Sequence, residues 1–556
     1  MTFLPIVERE LRVATRRRLT YWSRPAAAAV FAIGFGFLLL VAAEMGGAGI
    51  SVGELEFSVL KWGLLIVASL AGVFVTADTL SEEKREGTMG LLFLTDLRGY
   101  DIVIGKLVSH SVRVFYGMLA VVPIVGLVLM MGGVTGREFW QVMLVIGNSL
   151  VLSLALGMFI SSLSRDSMRA MLYALLLSLA IFGGLQLLDM AAASWDERKF
   201  TAHFSLASPG YLLVKTGGYG FKNYWLCLGI QHGLAWVLLG LASFATPRTW
   251  RDKPQTSGGR WRSLVGGWRF GSRQSRAARR RKILQYSPVL WLVSRDRSTF
   301  RVLTCLTVLM TFFRTWGIYL QLHLMNEPGT PGQQAVEDFS GVFMAIFVGA
   351  IFFWLAGQAC RFFVEAMQNG AMELILVTPV SPREIIRAQR AALRRVFLFP
   401  VLCTLLLIAG SEGASFWFLQ KYASAKISDL EIASLCEGVV LMAGVLAAVS
   451  WFGMWAGMTS RKMAWAVLKT LGLVVVTPYI ALGLIQNLVV ELLLQRHLGK
   501  WGNELLVSGI WLLLDLWFIL RSRAKLLARF RELAARDGRR TRGRFWARWR
   551  RTSTST

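Results

Sequence analysis

Five consecutive charged residues, Glu82, Glu83, Lys84, Arg85 and Glu86, run into Gly87, Thr88 and a short apolar stretch, Leu91 to Leu94, that ends at Thr95. Charges this dense are expensive in hydrocarbon, so the cluster belongs at a membrane surface or in water. Its chemistry is that of ion pairs and hydrogen bonds to another surface. Nothing in the chain suggests bond-making chemistry, because the five His are scattered and neither HExxH nor GxSxG occurs. A phosphate-loop lookalike, Gly99 to Leu107, has five residues between its glycines and places Leu107 where a metal-binding Ser or Thr is needed.

The cluster is written twice. A shift of 283 residues (Pro5 onto Pro288) carries Arg12 onto Arg295, Glu82 onto Glu365, Gly87 onto Gly370, Met89 onto Met372, Leu91 onto Leu374 and Thr95 onto Thr378. Further along, Gly157-Met158 and Ser164-Arg165 reappear as Gly453-Met454 and Ser460-Arg461, now shifted by 296 (157 onto 453), so the second copy carries an insertion. A repeat of this length is a folding unit rather than a solenoid module. In the second copy Ser381-Pro382-Arg383-Glu384 has the form of a capping box with proline at the first helical position, which predicts a helix starting at Ser381. Each copy therefore makes a short elbow after an apolar run.

The elements that hold these elbows are apolar. Of 556 residues, 55% are hydrophobic and only 17% charged, against about 25% in ordinary soluble domains. The mean hydropathy is +0.52. Apolar runs of roughly 20 residues recur, the length that crosses a bilayer core. The expected fold is an all-α, polytopic integral membrane protein with about twelve transmembrane helices in two pseudo-symmetric six-helix halves. The spans are read at 25–43, 58–78, 109–131, 139–163, 168–190 and 222–245, then 301–320, 339–361, 391–410, 433–459, 464–488 and 504–521. With the amino terminus inside, the great majority of the 61 Lys and Arg fall in inner connections, as the positive-inside rule requires. Both elbows then face the cytoplasm, both termini are cytoplasmic, and a multi-pass inner-membrane location is expected. Arg16-Arg17-Arg18 precedes an apolar run too long for a secretory h-region, so the first span is read as retained.

Four segments follow. Residues 1–245 form the first six-span half with an interfacial N-terminal helix, and 246–285 a basic cytoplasmic linker. Residues 286–521 form the second half, and 522–556 a basic cytoplasmic tail. Linker and tail interleave Arg with Trp250, Trp261, Trp268, Trp546 and Trp549, a composition suited to anionic lipid headgroups and read here without a nucleic-acid partner. Residues 286–300, with Pro288, Val289, Leu292 and Arg295, echo the N-terminal segment. The five Cys lie in or beside spans with no CxxC pair, so neither a disulfide framework nor a metal site is indicated. Within spans, Gln231, His232 and Asp515 are candidate intramembrane polar sites, and Gln358, Gln486 and Asn487 also stand out.

Residues Glu82 through Lys106 resemble a segment of ABC-2 type transporter permeases that reads roughly E-x-x-x-E-G-T, an apolar run, T-P-x-S-x-x-E-I and G-K. The first copy keeps Glu82, Glu86, Gly87, Thr88, Thr95, Gly105 and Lys106, and departs at Asp96 and at Arg98-Gly99. The second keeps Thr378, Pro379, Ser381, Glu384 and Ile385, with Asn369 and Ala371 around Gly370 and Ala388-Gln389 in place of G-K. Pro5 to Arg12 and Gly132-Gly133-Val134 are similar to the family as well. The resemblance implies a permease, without ATPase motifs or bound cofactor of its own, whose elbows dock a separate ABC ATPase dimer that carries ATP-Mg. It makes Glu82, Glu83, Glu86, Gly87, Thr88, Thr95, Lys106, Glu365, Gly370, Thr378, Pro379, Ser381 and Glu384 the ATPase-coupling segment. Rival readings are an ion-gradient-driven secondary transporter and a non-transporting membrane scaffold.

Overall fold

The computed structural model describes residues 52–95, 97–186, 203–216, 221–249, 273–285, 287–294, 300–308, 331–423, 429–485 and 506–534, with isolated residues between them. The chain divides after Pro254 into two compact units, Met1–Pro254 and Gln255–Thr556. Helices account for the regular structure among the described residues, as a chain embedded in lipid requires when each backbone N–H and C=O must find a partner within its own segment.

In the first unit, α1 (Val52–Ala71) passes through a π-helical turn (Gly72–Thr76) into α2 (Thr79–Glu86). Then come α3 (Thr88–Phe93), α4 (Gly99–Leu119), α5 (Val122–Met131), α6 (Gly136–Leu163) and α7 (Ser167–Leu179), the last running into a second π-helical turn, Ala180–Gly184. A short α8 (Pro209–Val214) precedes α9 (Phe221–Thr249). The second unit holds α10 (Arg273–Leu284), α11 (Pro288–Val293), α12 (Pro331–Gln368), α13 (Ala371–Val377), α14 (Pro382–Ala423), α15 (Asp429–Thr459) and α16 (Met463–Leu471). A π-helical turn (Gly472–Val476) leads to α17 (Thr477–Ile485), and α18 covers 506–534.

Local chemistry sets the starts. Gly132 and Gly133, at φ 83° and 82°, turn the chain after α5, and the Thr135 hydroxyl accepts the Glu138 N–H at 3.2 Å to cap α6. The Asp166 carboxylate accepts the Met168 N–H at 3.1 Å and caps α7. The Asp101 carboxylate accepts the Arg98 N–H at 3.1 Å. That cap starts α4 at Gly99, ahead of the expected span at 109–131.

Seven helices among the described residues are long and apolar enough to cross a membrane: Glu56–Glu86, Gly99–Met131, Gly136–Leu163, Ser167–Gly184, Asn223–Thr249, Val348–Gln368 and Glu437–Thr459. Of the other expected spans, 25–43 falls largely outside the described residues, and 301–320 is described and helical over 301–308, with isolated residues beyond. The apolar helix Met463–Tyr479 is shorter than a span. α14 is helical over the whole expected span 391–410, and α18 over 506–521 of the expected 504–521. α18 continues past the expected end at 521 because Leu526, Phe530 and Ala534, four residues apart, are buried in the core of the second unit. α10 occupies part of the expected linker, whose residues 250–272, like those of the tail from 535 on, lie outside the described residues. The proposed N-terminal interfacial helix does too, apart from isolated positions such as Glu8 and Arg12, which pair at 2.6 Å.

The crossings in each unit pack in a telling direction. From α1 to α2, the partners met on α6 rise in step: Ala68 with Ser153, Thr76 with Leu154, Leu80 and Ser81 with Ser161. α6 and α9 behave alike, through Gln141 with Tyr224, Asn148 with Leu228 and Ser162 with Thr249. These helices are parallel, so the chain between each pair must return across the same thickness. In the second unit α15 and α18 are parallel by the same argument, through Glu437 with Ser508, Phe452 with Phe518 and Trp455 with Lys525.

Small residues permit the contact, as is usual between helices in lipid. A Cβ on Gly157 would lie 2.2 Å from Thr76 Oγ1 and 2.3 Å from the Gly72 carbonyl oxygen. In the second unit a Cβ on Gly453 would lie 2.8 Å from that of Ala359. Gly453 and Ala359 are the counterparts of Gly157 and Thr76 at shifts of 296 and 283. Gly157→Ala is expected to destabilise the detergent-solubilised protein by about 1–3 kcal/mol through overpacking, read as a lower thermal midpoint. Gly147→Ala on the same helix, with nothing within 4 Å of its Cβ, is expected to leave that midpoint unchanged.

Candidate coupling elbows and intramembrane polar groups

The elbow of the first unit is a glycine hinge between two short helices. Gly87 ends α2 in the left-handed region at φ 73°, its N–H donating to the Glu83 carbonyl. A Cβ there would meet nothing within 4 Å, so glycine is required by conformation rather than by space. The Thr88 hydroxyl donates to the same Glu83 carbonyl at 3.3 Å. α3 then buries Met89 and turns Leu91 (64% exposed) and Leu94 (82% exposed) outward. The Thr95 hydroxyl closes the turn by donating to the Leu92 carbonyl at 2.7 Å.

Three adjacent side chains of α2, about 100° apart around the helix, anchor this elbow in three directions. Glu83 forms an ion pair with Lys106 at 2.6 Å, tying α2 to α4 with both side chains largely shielded from solvent. Lys84 donates to the Ser162 carbonyl and, at 2.9 Å, to the Thr249 hydroxyl, joining the ends of α6 and α9. Arg85 pairs with Asp78 at 3.0 Å and donates to the Arg165 carbonyl at 3.3 Å. Lys84 and Arg85 thus anchor the elbow alongside Glu83. Their signal in the sequence was that each neighbour in a charge run must face a different helix. Glu86 is exposed at the hinge, and Glu82 is half-buried on α2, its charge acting on Arg85. Gly105 and Lys106 lie inside α4, and the lysine is committed to Glu83, so the lookalike phosphate loop is a helix.

The second elbow keeps the shape and loses part of the anchor. Gly370, at φ 69°, opens α13, Met372 is buried, and Leu374 (72% exposed) and Val377 (87% exposed) face outward at the positions of Leu91 and Leu94. The Thr378 hydroxyl donates to the Ile375 carbonyl as Thr95 does to Leu92, at 2.5 Å. Its extended ψ of 159° suits the following Pro379. Ser381 caps α14, accepting the Glu384 N–H at 3.3 Å. Gln368, the counterpart of Arg85, donates to the Arg461 carbonyl at 2.6 Å, and Arg461 is the counterpart of Arg165. The ion pair has no counterpart, because Ala366 replaces Glu83 and Gln389 replaces Lys106. Gln389 donates instead to the Gln358 carbonyl at 3.0 Å, and Glu365 pairs with Arg361 at 2.8 Å one turn back on α12.

The intramembrane candidates divide. Trp236 Nε1 donates to His232 Nε2 at 3.0 Å, which leaves the ring proton on Nδ1 to be donated to Asn148 Oδ1 at 2.9 Å. His232 therefore reads as a helix-to-helix tie. Gln231 is fully buried with neither amide atom partnered among the described residues. Asp515, in the second unit, has both carboxylate oxygens buried and without a hydrogen bond among the described residues, against the bare backbone of Gly444. Of the other span polars, Gln358 supplies the carbonyl that Gln389 meets, and Gln486 and Asn487 lie outside the described residues.

Compared with known proteins, the chain matches no family model and no curated protein.

Breaking one partner of a buried ion pair strands the other charge, at a cost of about 3–5 kcal/mol. Lys106→Gln is expected to lower stability on that scale in a thermal melt of the solubilised protein. Adding Glu83→Ala, which installs the second unit's residues at both positions, is expected to restore most of the loss.

Proposed function

We propose that this chain is the permease subunit of an ABC-2 type exporter in the inner membrane, with both termini and both elbows on the cytoplasmic side. Two pseudo-symmetric six-helix halves would each present one elbow to one protomer of a separate ATPase dimer. The dimer's nucleotide-driven closure would move the halves and open a path at their interface. The observation that carries the reading is the recurrence, 283 residues apart, of one built object: a left-handed glycine, a buried methionine, two outward apolar side chains and a side-chain bond to the carbonyl of Arg165 or Arg461. The apolar pair suits insertion into a cleft of a partner, and the anchors behind it suit transmission of force to α4, α6 and α9. The parallel packing of α1–α2, α6 and α9 supports alternate crossings and hence a common side for the ends of these helices.

Coupling is expected to be unequal, since the first elbow holds the Glu83–Lys106 pair and the second does not. Glu82→Ala should depress substrate-stimulated ATP hydrolysis of the reconstituted complex more than Glu365→Ala, and equal losses would remove that idea. The docking itself is tested with Thr88→Cys and Ala371→Cys, cross-linked in intact cells. An adduct with an ATP-hydrolysing subunit at both positions is expected. Labelling of either cysteine from the outer face alone, or ATP-independent transport in vesicles lacking an ATPase, would overturn the proposal.

A further inference from the structure

The second unit carries a charge feature that the repeat does not require. Arg383, Arg387, Arg390 and Arg394 follow one another on α14 at spacings of four, three and four residues, which places them on a single stripe about 16 Å long. At the shift of 283 their counterparts in the first unit are Tyr100, Ile104, Leu107 and Ser111, none of them charged. The first unit builds the corresponding helix without arginines at these positions, so their presence in the second asks for another reason.

Arg390 is half-buried, with its guanidinium 4.5 Å from the ring centroid of Trp451 on α15. Burial pushes its pKa down, and the repulsive charges of Arg394 and of Arg523 on α18 add to that shift. Among the described residues no carboxylate pairs with Arg390, Arg394 or Arg523. One turn along α15, Trp455 receives Lys525 of α18 at 4.8 Å. Three helices thus bring cations together over two tryptophans, with no paired anion among the described residues.

The same helix supplies an independent observation. One turn beyond Arg394 the outward residues of α14 become apolar, with Leu398, Leu402 and Leu406 all exposed. Arginine forks bind phosphate oxygens in a fixed bidentate geometry, and basic pockets between membrane helices hold anionic headgroups. A ligand with a phosphate at one end and hydrocarbon at the other fits the whole surface. A free phosphate fits only the arginine end.

We propose that the cluster of Arg390, Arg394 and Arg523 beside Trp451 is a binding site for the phosphate of an anionic phospholipid, whose acyl chains lie along Leu398, Leu402 and Leu406.

The test uses the full-length protein in phosphatidylcholine nanodiscs with and without phosphatidylglycerol, with retained lipid counted by native mass spectrometry and the thermal midpoint followed in parallel. Wild type is expected to retain phosphatidylglycerol preferentially and to melt higher in its presence. The triple variant Arg390→Gln, Arg394→Gln, Arg523→Gln is expected to bind it on the order of a hundredfold more weakly. Arg529→Gln with Arg531→Gln, which removes exposed charges elsewhere on α18, is expected to keep the preference. Equal losses in the two variants would mean general surface attraction and overturn the site. Stabilisation by inorganic phosphate equal to that by phosphatidylglycerol would also overturn it, in favour of a soluble ligand. Absence of any lipid preference in correctly folded wild type would overturn it outright.

Discussion

The Ser161 hydroxyl accepts two backbone N–H groups, those of Leu80 at 2.9 Å and Ser81 at 3.1 Å, and the geometry of the first elbow hangs from it. Those donors are free because the π-helical turn at Gly72–Thr76 breaks the usual ladder, with the Ala77 N–H reaching back five residues to Gly72. Two buried donors without partners would be costly in a setting that lacks water. Ser161 removes that cost and fixes α2 against α6 one turn before the charges begin. Glu83, Lys84 and Arg85 then reach their partners from a helix whose rotation is already set.

The second unit reaches a similar elbow by another route. Gly457 stands where Ser161 would be, and a Cβ there would lie 2.7 Å from the Cys360 carbonyl oxygen. No hydroxyl is needed, because α12 runs unbroken through Gln368 and has no donors to spare at that level. Anchoring passes instead to apolar packing, in which Met372, Phe363, Ile385, Met454, Leu526 and Phe530 share one buried cluster. Polar ties hold the first elbow and a hydrophobic core holds the second. This division matches the loss of Glu83 and Lys106 from the repeat.

Much of this was legible in the sequence. Apolar runs announced the long helices, glycines at a common shift announced the hinges, and Ser381-Pro382 announced the start of α14, because each depends on a local pattern. What depends on a neighbour's shape was hidden. The π-helical turn in α1–α2 leaves no residue signature beyond Gly72, which reads equally well as packing. The burial of Leu526, Phe530 and Ala534 is masked by the arginines between them, since an averaged hydropathy mixes both faces of a helix. Gln231, His232 and Asp515 looked alike as polar residues in spans, and only geometry separates a satisfied tie from groups that meet no partner among the described residues.

The contrast between a jointed strut and a continuous rod has a mechanical consequence. α12 spans 38 residues, about 57 Å, with no break before Gly370. It is stiff along its axis and delivers a push at one end to the other with little loss. In the strut built from α1 and α2 the hydrogen-bond ladder changes register at Gly72–Thr76, and under load it would bend there first. One stroke applied at both elbows would therefore arrive at the opposite ends of these helices with different amplitudes.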